Sequence, residues 1–92
     1  MNTIKTFKDI PFELDNGCVK GQLIFENNFG VSILMGPFTK GGLVGKYELT
    51  ILQWIPEKNF SVASYNNPIS NDSIGHLTQE EINDLMKQIQ EL

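Results

Sequence analysis

Residues 74–92, IGHLTQEEINDLMKQIQEL, decide how the rest of the chain is read. Thr78 and Glu81 stand three residues apart, the spacing at which a hydroxyl and a carboxylate each reach the other's orphan backbone N–H at a helix start. Leu77 just outside and Ile82 four residues inside are placed as a hydrophobic staple, which sets the angle of the incoming chain. Leu85, Met86, Ile89 and Leu92 continue the same face. A helix of about fourteen residues is marginal alone in water and takes its stability from packing, so this stripe requires an apolar partner surface.

The preceding residues supply that surface as strands. Residues 19–26 alternate, with Val19, Gly21, Leu23 and Phe25 on one side and Lys20, Gln22, Ile24 and Glu26 on the other. Phe29, Val31, Ile33 and Met35 repeat the period of two, and Asn27-Asn28 between the runs reads as a two-residue hairpin loop. Residues 46–54 alternate again, with Tyr47, Leu49, Ile51 and Gln53 opposed to Glu48, Thr50, Leu52 and Trp54. Ile55-Pro56-Glu57-Lys58 has the form of a type I turn, with residues 60–65 as the last strand. Upstream, Asp15-Asn16-Gly17 signals a turn, since Asn and Gly tolerate positive φ. A short edge strand is expected at 12–14 and another near 4–7, with Pro11 limiting any ladder. Asn66-Asn67-Pro68 breaks the last strand, and a polar run leads on to the helix. The expected fold is therefore α+β: an antiparallel meander sheet of four to five strands, covered on one face by a single C-terminal helix, in one globular domain over residues 1–92.

Composition narrows the function classes. A chain of 92 residues builds one small core and leaves little room for a deep enzyme pocket. Six Phe within a 40% hydrophobic fraction indicate a folded globule. The single Cys18 cannot form an internal disulfide, and neither an export segment nor an apolar run long enough to span a membrane is read, so a cytosolic setting is expected. Residues 1–71 carry six acids and six lysines, so the whole net charge of −4 lies in the last 21 residues. There Glu80, Glu81 and Asp84 crowd the first helical turns, where the dipole favours negative charge. This is a solvated face, or an acidic patch that meets a basic, nucleic-acid-binding surface on a partner protein. The chain has no arginine, the residue most used for bidentate phosphate and base-edge contacts, which argues against direct nucleic-acid binding. Nine Asn and no Arg fit a coding sequence rich in A and T, as in low-GC bacteria and their phages.

No constellation of catalytic residues emerges. The glycine-rich loop at 36–45, GPFTKGGLVG, runs into a strand, whereas a phosphate-cradling loop opens a helix. Its apolar residues Phe38, Leu43 and Val44 either fold back over the core or form a contact patch, with Phe38 as anchor and Lys40 on the rim. His76 stands near Ser73 and Asp72 in sequence, but a triad is a geometric arrangement, and a helix-entry histidine with local hydrogen bonds is the simpler reading. One His and one Cys cannot complete a zinc site, and no cofactor is expected. Trp54 either covers the edge of the core or joins Ile24 and Leu52 in a second apolar surface on the outer sheet face.

Two blocks carry a resemblance: Gly36-Pro37 with Gly45-Lys46-Tyr47-Glu48-Leu49-Thr50-Ile51-Leu52, and residues 68–82, PISNDSIGHLTQEEI. They resemble small phage and prophage proteins of unassigned function, which share a GP…G-x-YEL-x-[IV]-L strand and an nD-x-IG-x-LT-x-EE[IV] helix start. The resemblance implies a phage accessory gene and, by analogy of class, a protein that binds a host protein, as anti-CRISPR and anti-restriction inhibitors do. The expectation is a non-enzymatic inhibitor or redirector of a host protein in the bacterial cytosol. Its expected contacts are Phe38, Lys40, Leu43, Glu80, Glu81 and Asp84. The alternative is a structural or virion-assembly component that self-associates through an edge strand or the Trp54 face.

Overall fold

The computed structural model describes residues 4–37, 39–65, 67–70 and 72–92, with Leu43 by its backbone alone. A 3₁₀ turn at Phe7–Asp9 is followed by β1 (Glu13–Asp15), β2 (Cys18–Ile24) and β3 (Phe29–Met35). A second 3₁₀ turn at Gly42–Val44 precedes β4 (Tyr47–Ile55), β5 (Phe60–Ala63), β6 (Ile74–Leu77) and α1 (Gln79–Gln90). All pairings are antiparallel, in the order β1-β2-β3-β4-β5, with β6 also on β4.

β5 and β6 occupy one lane. Leu52 pairs with Ala63, the Ser64 N–H donates to the Ile51 carbonyl at 2.7 Å, and the ladder resumes where Leu49 pairs with Ile74. The chain leaves the lane after Ser64 and returns at Ile74, so six strands fill five lanes of a meander covered on one face by one helix. Asn67 organises this excursion: its amide donates to the Ser64 carbonyl at 3.1 Å, and its side-chain oxygen accepts from the N–H groups of Ile69 and Ser70 at 2.9 Å.

β6 was not expected as a strand, because Ile74-Gly75-His76-Leu77 has neither alternation nor length. Tyr47 pairs with Leu77 and Leu49 with Ile74, so one additional residue bulges from the β6 side. His76 takes it up at φ +57°. The β2–β3 connection also differs from the two-residue loop expected. Phe25 N–H donates to the Phe29 carbonyl at 2.7 Å, Asn28 N–H to the Phe25 carbonyl at 3.1 Å, and Asn28 sits at φ +68°. This is a three-residue loop closed by a left-handed Asn. The β1–β2 turn is as expected, with Asn16 and Gly17 both at positive φ, the type I′ geometry that suits strand twist.

The inner face of the sheet contributes Val31, Ile33, Leu49 and Ile51 to one core, and α1 adds Ile82, Met86 and Ile89, all at 2% exposure or less. Each such side chain contributes about 1.5–3 kcal/mol by burial. Helix start and staple are as the sequence predicts. Glu81 N–H donates to Thr78 Oγ1 at 3.2 Å, Thr78 N–H donates to Glu81 Oε1 at 3.0 Å, and Leu77 and Ile82 both enter the core.

Residues 4–9 form no strand. They lie along α1, with Phe7 in a ring cluster with Phe12 and Tyr47 at centroid distances of 4.8 and 5.1 Å. Gly21 lies close under this cluster, where a Cβ would meet the side chains of Ile10 and Phe12. On the outer face, Ile24, Leu34 and Trp54 are half-buried and Leu52 is buried between the cross-strand neighbours Gly30 and Ala63. Trp54 thus belongs to the outer surface, not to the edge of the core.

Candidate interaction site

The glycine-rich loop and the segment that leads into the acidic helix, read separately in the sequence, meet at one end of the sheet, and Lys46 lies near enough to Glu81 to attract its carboxylate weakly. Lys40 joins them through its backbone: its carbonyl accepts from His76 N–H at 3.1 Å and its N–H donates to Glu48 Oε1 at 2.7 Å. Its side chain reaches the same segment, donating from Nζ to Ser73 Oγ at 2.8 Å and to the Ser73 carbonyl at 3.3 Å, with the Asp72 carboxylate at 3.7 Å. Lys40 therefore ties the loop to the start of β6. Its side chain is 48% exposed while bonded within the chain.

Gly41 adopts φ +92° and lies against the backbone of His76, where a Cβ would come within 2.8 Å of the His76 Cα. Gly45 is also left-handed, and between the two glycines the 3₁₀ turn projects Val44 into solvent at 67% exposure. Of the three apolar loop residues, Val44 is the one shown to be exposed. Phe38 and the side chain of Leu43 lie outside the described residues.

Across this end, Glu80, Glu81 and Asp84 are all exposed on α1. Glu81 is held by the cap, and hydrogen bonds from the Thr78 backbone and hydroxyl keep its carboxyl below the ordinary range, with Lys46 adding a weaker attraction. Glu80 and Asp84 are in no ion pair among the described residues. This end thus carries the exposed Val44 and the lysines at 40 and 46, and the helix that follows β6 opens with two exposed carboxylates one turn apart that are in no ion pair among the described residues.

The other features weighed in the sequence are placed elsewhere. His76 sits in the β6 bulge and not at a helix entry, and Lys40 engages the neighbouring Ser73 and Asp72. Cys18 is a half-buried free thiol at the start of β2. Among the described residues, no group of three or more His, Cys, Asp or Glu is clustered for a metal, and no helix is long and apolar enough to cross a membrane. A cleft of about 410 Å³ lies beside β1, lined by Pro11, Glu13, Lys20, Gln22, Ser32 and Leu34. A smaller one of about 190 Å³ lies between Ile4, Lys5, Ile24 and Gln90.

Sequence reading missed three residues that tie α1 to the segment at 5–7 and to the β2–β3 loop. Gln90 and Asn83 bind the backbone of residues 5 and 7, and Asn27 donates to the Ile89 carbonyl at 2.8 Å, beside the Leu92 N–H that reaches the same oxygen at 3.2 Å. A polar side chain on a helix or in a turn carries no local sign of partners so distant in sequence.

By fold, the chain is an α+β protein built on an antiparallel meander with one covering helix. No known protein family, curated protein or solved structure matches it.

Proposed function

We propose that this chain is a small non-enzymatic binding protein of the phage accessory type that its sequence resembles, acting by engaging a host protein. The observation that carries this reading is the packing of the glycine-rich loop on the segment that leads into the acidic helix, with Val44 exposed and Glu80 and Asp84 exposed and in no ion pair among the described residues. An exposed apolar residue on an end of the molecule that also carries lysines and carboxylates has the composition of a binding patch, with a desolvating centre and a polar rim that selects the partner. The unpaired carboxylates favour a partner with a basic surface, such as the nucleic-acid-binding face of a CRISPR or restriction component. Phe38, Lys40, Leu43, Glu80, Glu81 and Asp84 remain the proposed contacts, with Val44 added.

The test is affinity capture from a low-GC bacterial lysate followed by mass spectrometry. One partner should be enriched by the native chain, lost with Val44→Glu or with Glu80→Lys/Asp84→Lys, and kept with Leu14→Ser, a change at an exposed site on β1. Capture indifferent to the pole variants would overturn the assignment.

A further inference from the structure

The two edges of the sheet are built differently. The β1 edge is three residues long, carries Glu13 and Asp15, and has Lys20 paired to Asp15 at 2.9 Å. Pro11 ends that lane, since continuing the Glu13–Lys20 register would set a residue with no N–H opposite Gln22. Short length, charge and proline are the usual protections of an edge against strand addition. The β5 edge, Phe60-Ser61-Val62-Ala63, has neither charge nor proline.

The register fixes which backbone groups this edge presents. Ser64 N–H donates to Ile51, so by the alternation of an antiparallel ladder Val62 and Phe60 also turn toward β4. Ser61 and Ala63 then direct both their N–H and C=O groups away from the sheet. Phe60 and Val62 lie on the inner face beside the area covered by α1, which packs on β3, β4 and β6, and they remain 44% and 40% exposed.

We propose that this edge pairs with the same edge of a second copy of the chain, antiparallel and two-fold symmetric about Val62. The occupant follows from self-complementarity. With Val62 on the two-fold, Ser61 of each copy lies opposite Ala63 of the other, and all four outward groups of each copy find partners. The two Val62 side chains meet in the close, non-hydrogen-bonded pair, with each Phe60 diagonal to the Val62 opposite. On the outer face only Ser61 and Ala63 meet, both small. An interface of four residues per copy falls below the roughly 1,200 Å² of standard stable complexes, so the dimer dissociates readily. It is independent of the host-binding pole, which lies at the other half of the β5/β6 lane.

Sedimentation equilibrium of the full chain from micromolar to millimolar concentration tests it. The weight-average mass should rise toward twice that of the monomer. Val62→Lys should weaken association at least about tenfold, because it sets two ammonium groups against each other on the two-fold. Ala63→Pro should also weaken it while sparing the β4 ladder, since that N–H points outward. If either variant misfolds, a Cys18→Ser/Val62→Cys chain keeps the test open: oxidation should join two copies through residue 62. A native chain that stays monomeric at millimolar concentration overturns the proposal. So does a dimer that is insensitive to Val62→Lys and is not cross-linked at residue 62, or an edge that takes only unrelated extended peptides.

Discussion

The side-chain amide of Gln90 clasps the backbone of Lys5 on both sides, accepting from its N–H at 2.8 Å and donating to its carbonyl at 2.9 Å. The same Nε2 also reaches the Met86 carbonyl at 2.9 Å. With Asn83 accepting from Phe7 N–H at 2.8 Å, the last two turns of α1 hold the first described residues of the chain as a neighbouring strand would. Removing both contacts with Gln90→Ala should cost about 1–2 kcal/mol, from two net hydrogen bonds at a partly wet site. Gln90→Glu keeps the acceptor and loses the donor, so it should fall between the two. Urea unfolding measures the loss, and hydrogen exchange should show the Lys5 and Phe7 amides opening first.

Two exposed carboxylates are tuned the same way. Asp9 accepts from the Thr6 N–H at 2.9 Å and Glu81 from the Thr78 N–H at 3.0 Å, and these bonds hold both below their ordinary values of 3.8 and 4.5. A carboxyl with a depressed folded-state pKa stabilises fully above its unfolded pKa, and the contribution is lost as pH falls through the folded value. Stability should therefore be flat above about pH 5 and decline toward pH 2. In Asp9→Asn/Glu81→Gln that acid limb should be shallower. Thermal unfolding across this range reads the difference, and identical acid limbs would show that these caps do not set it.

The Lys40 tie divides into a backbone part and a side-chain part of unequal worth. The Asp72 pair is open to solvent, with side chains 48% and 72% exposed and 3.7 Å between charges, so Asp72→Asn, which removes the charge and keeps the oxygen that accepts from Ser73 N–H at 2.7 Å, should change stability by less than about 0.5 kcal/mol. Lys40→Ala also loses the bond to Ser73 Oγ and should cost about 1 kcal/mol, leaving the backbone links to His76 and Glu48 in place. Chemical denaturation of both variants gives the comparison. Equal losses would mean that the ion pair, not the hydroxyl, holds the loop.

What was legible in the sequence depended on how local its cause is. The helix start was readable because Thr78 and Glu81 satisfy each other three residues apart, and the strands because Val31, Ile33, Leu49 and Ile51 repeat at the period of a pleat. β6 was hidden because its pairing comes from Leu49 and Tyr47, which accept a segment with a glycine and a left-handed histidine. The Gln90 clasp spans 85 residues and has no local sign at all. Of the candidate site, the residue types were readable but not their meeting. Nothing in the spacing of Lys40 and His76 announces that their backbones bond, so Lys40 read as a free rim charge where the fold uses it as a tie.

The contact of Gly41 with His76 sets two opposite expectations on neighbouring backbones. Gly41 needs both its φ of +92° and its missing Cβ, which would stand 2.8 Å from His76 Cα and 2.9 Å from His76 N. Both obstacles are backbone atoms, so neither can rotate aside. Gly41→Ala should then destabilise by more than about 1 kcal/mol, through left-handed strain and the displaced β6 bulge together. His76 is the reverse case, a side-chain-bearing residue at φ +57° with its ring exposed. Glycine relieves its left-handed cost but gives up chain entropy, so His76→Gly should be neutral to stabilising by up to about 1 kcal/mol. A β-branched Val there should cost more than Ala, because its crowding is worst at positive φ. Melting temperatures in the order His76→Gly, native, His76→Ala, His76→Val would establish the bulge as a strained joint, while Gly41→Ala at the native value would mean that loop and bulge are not in contact in solution.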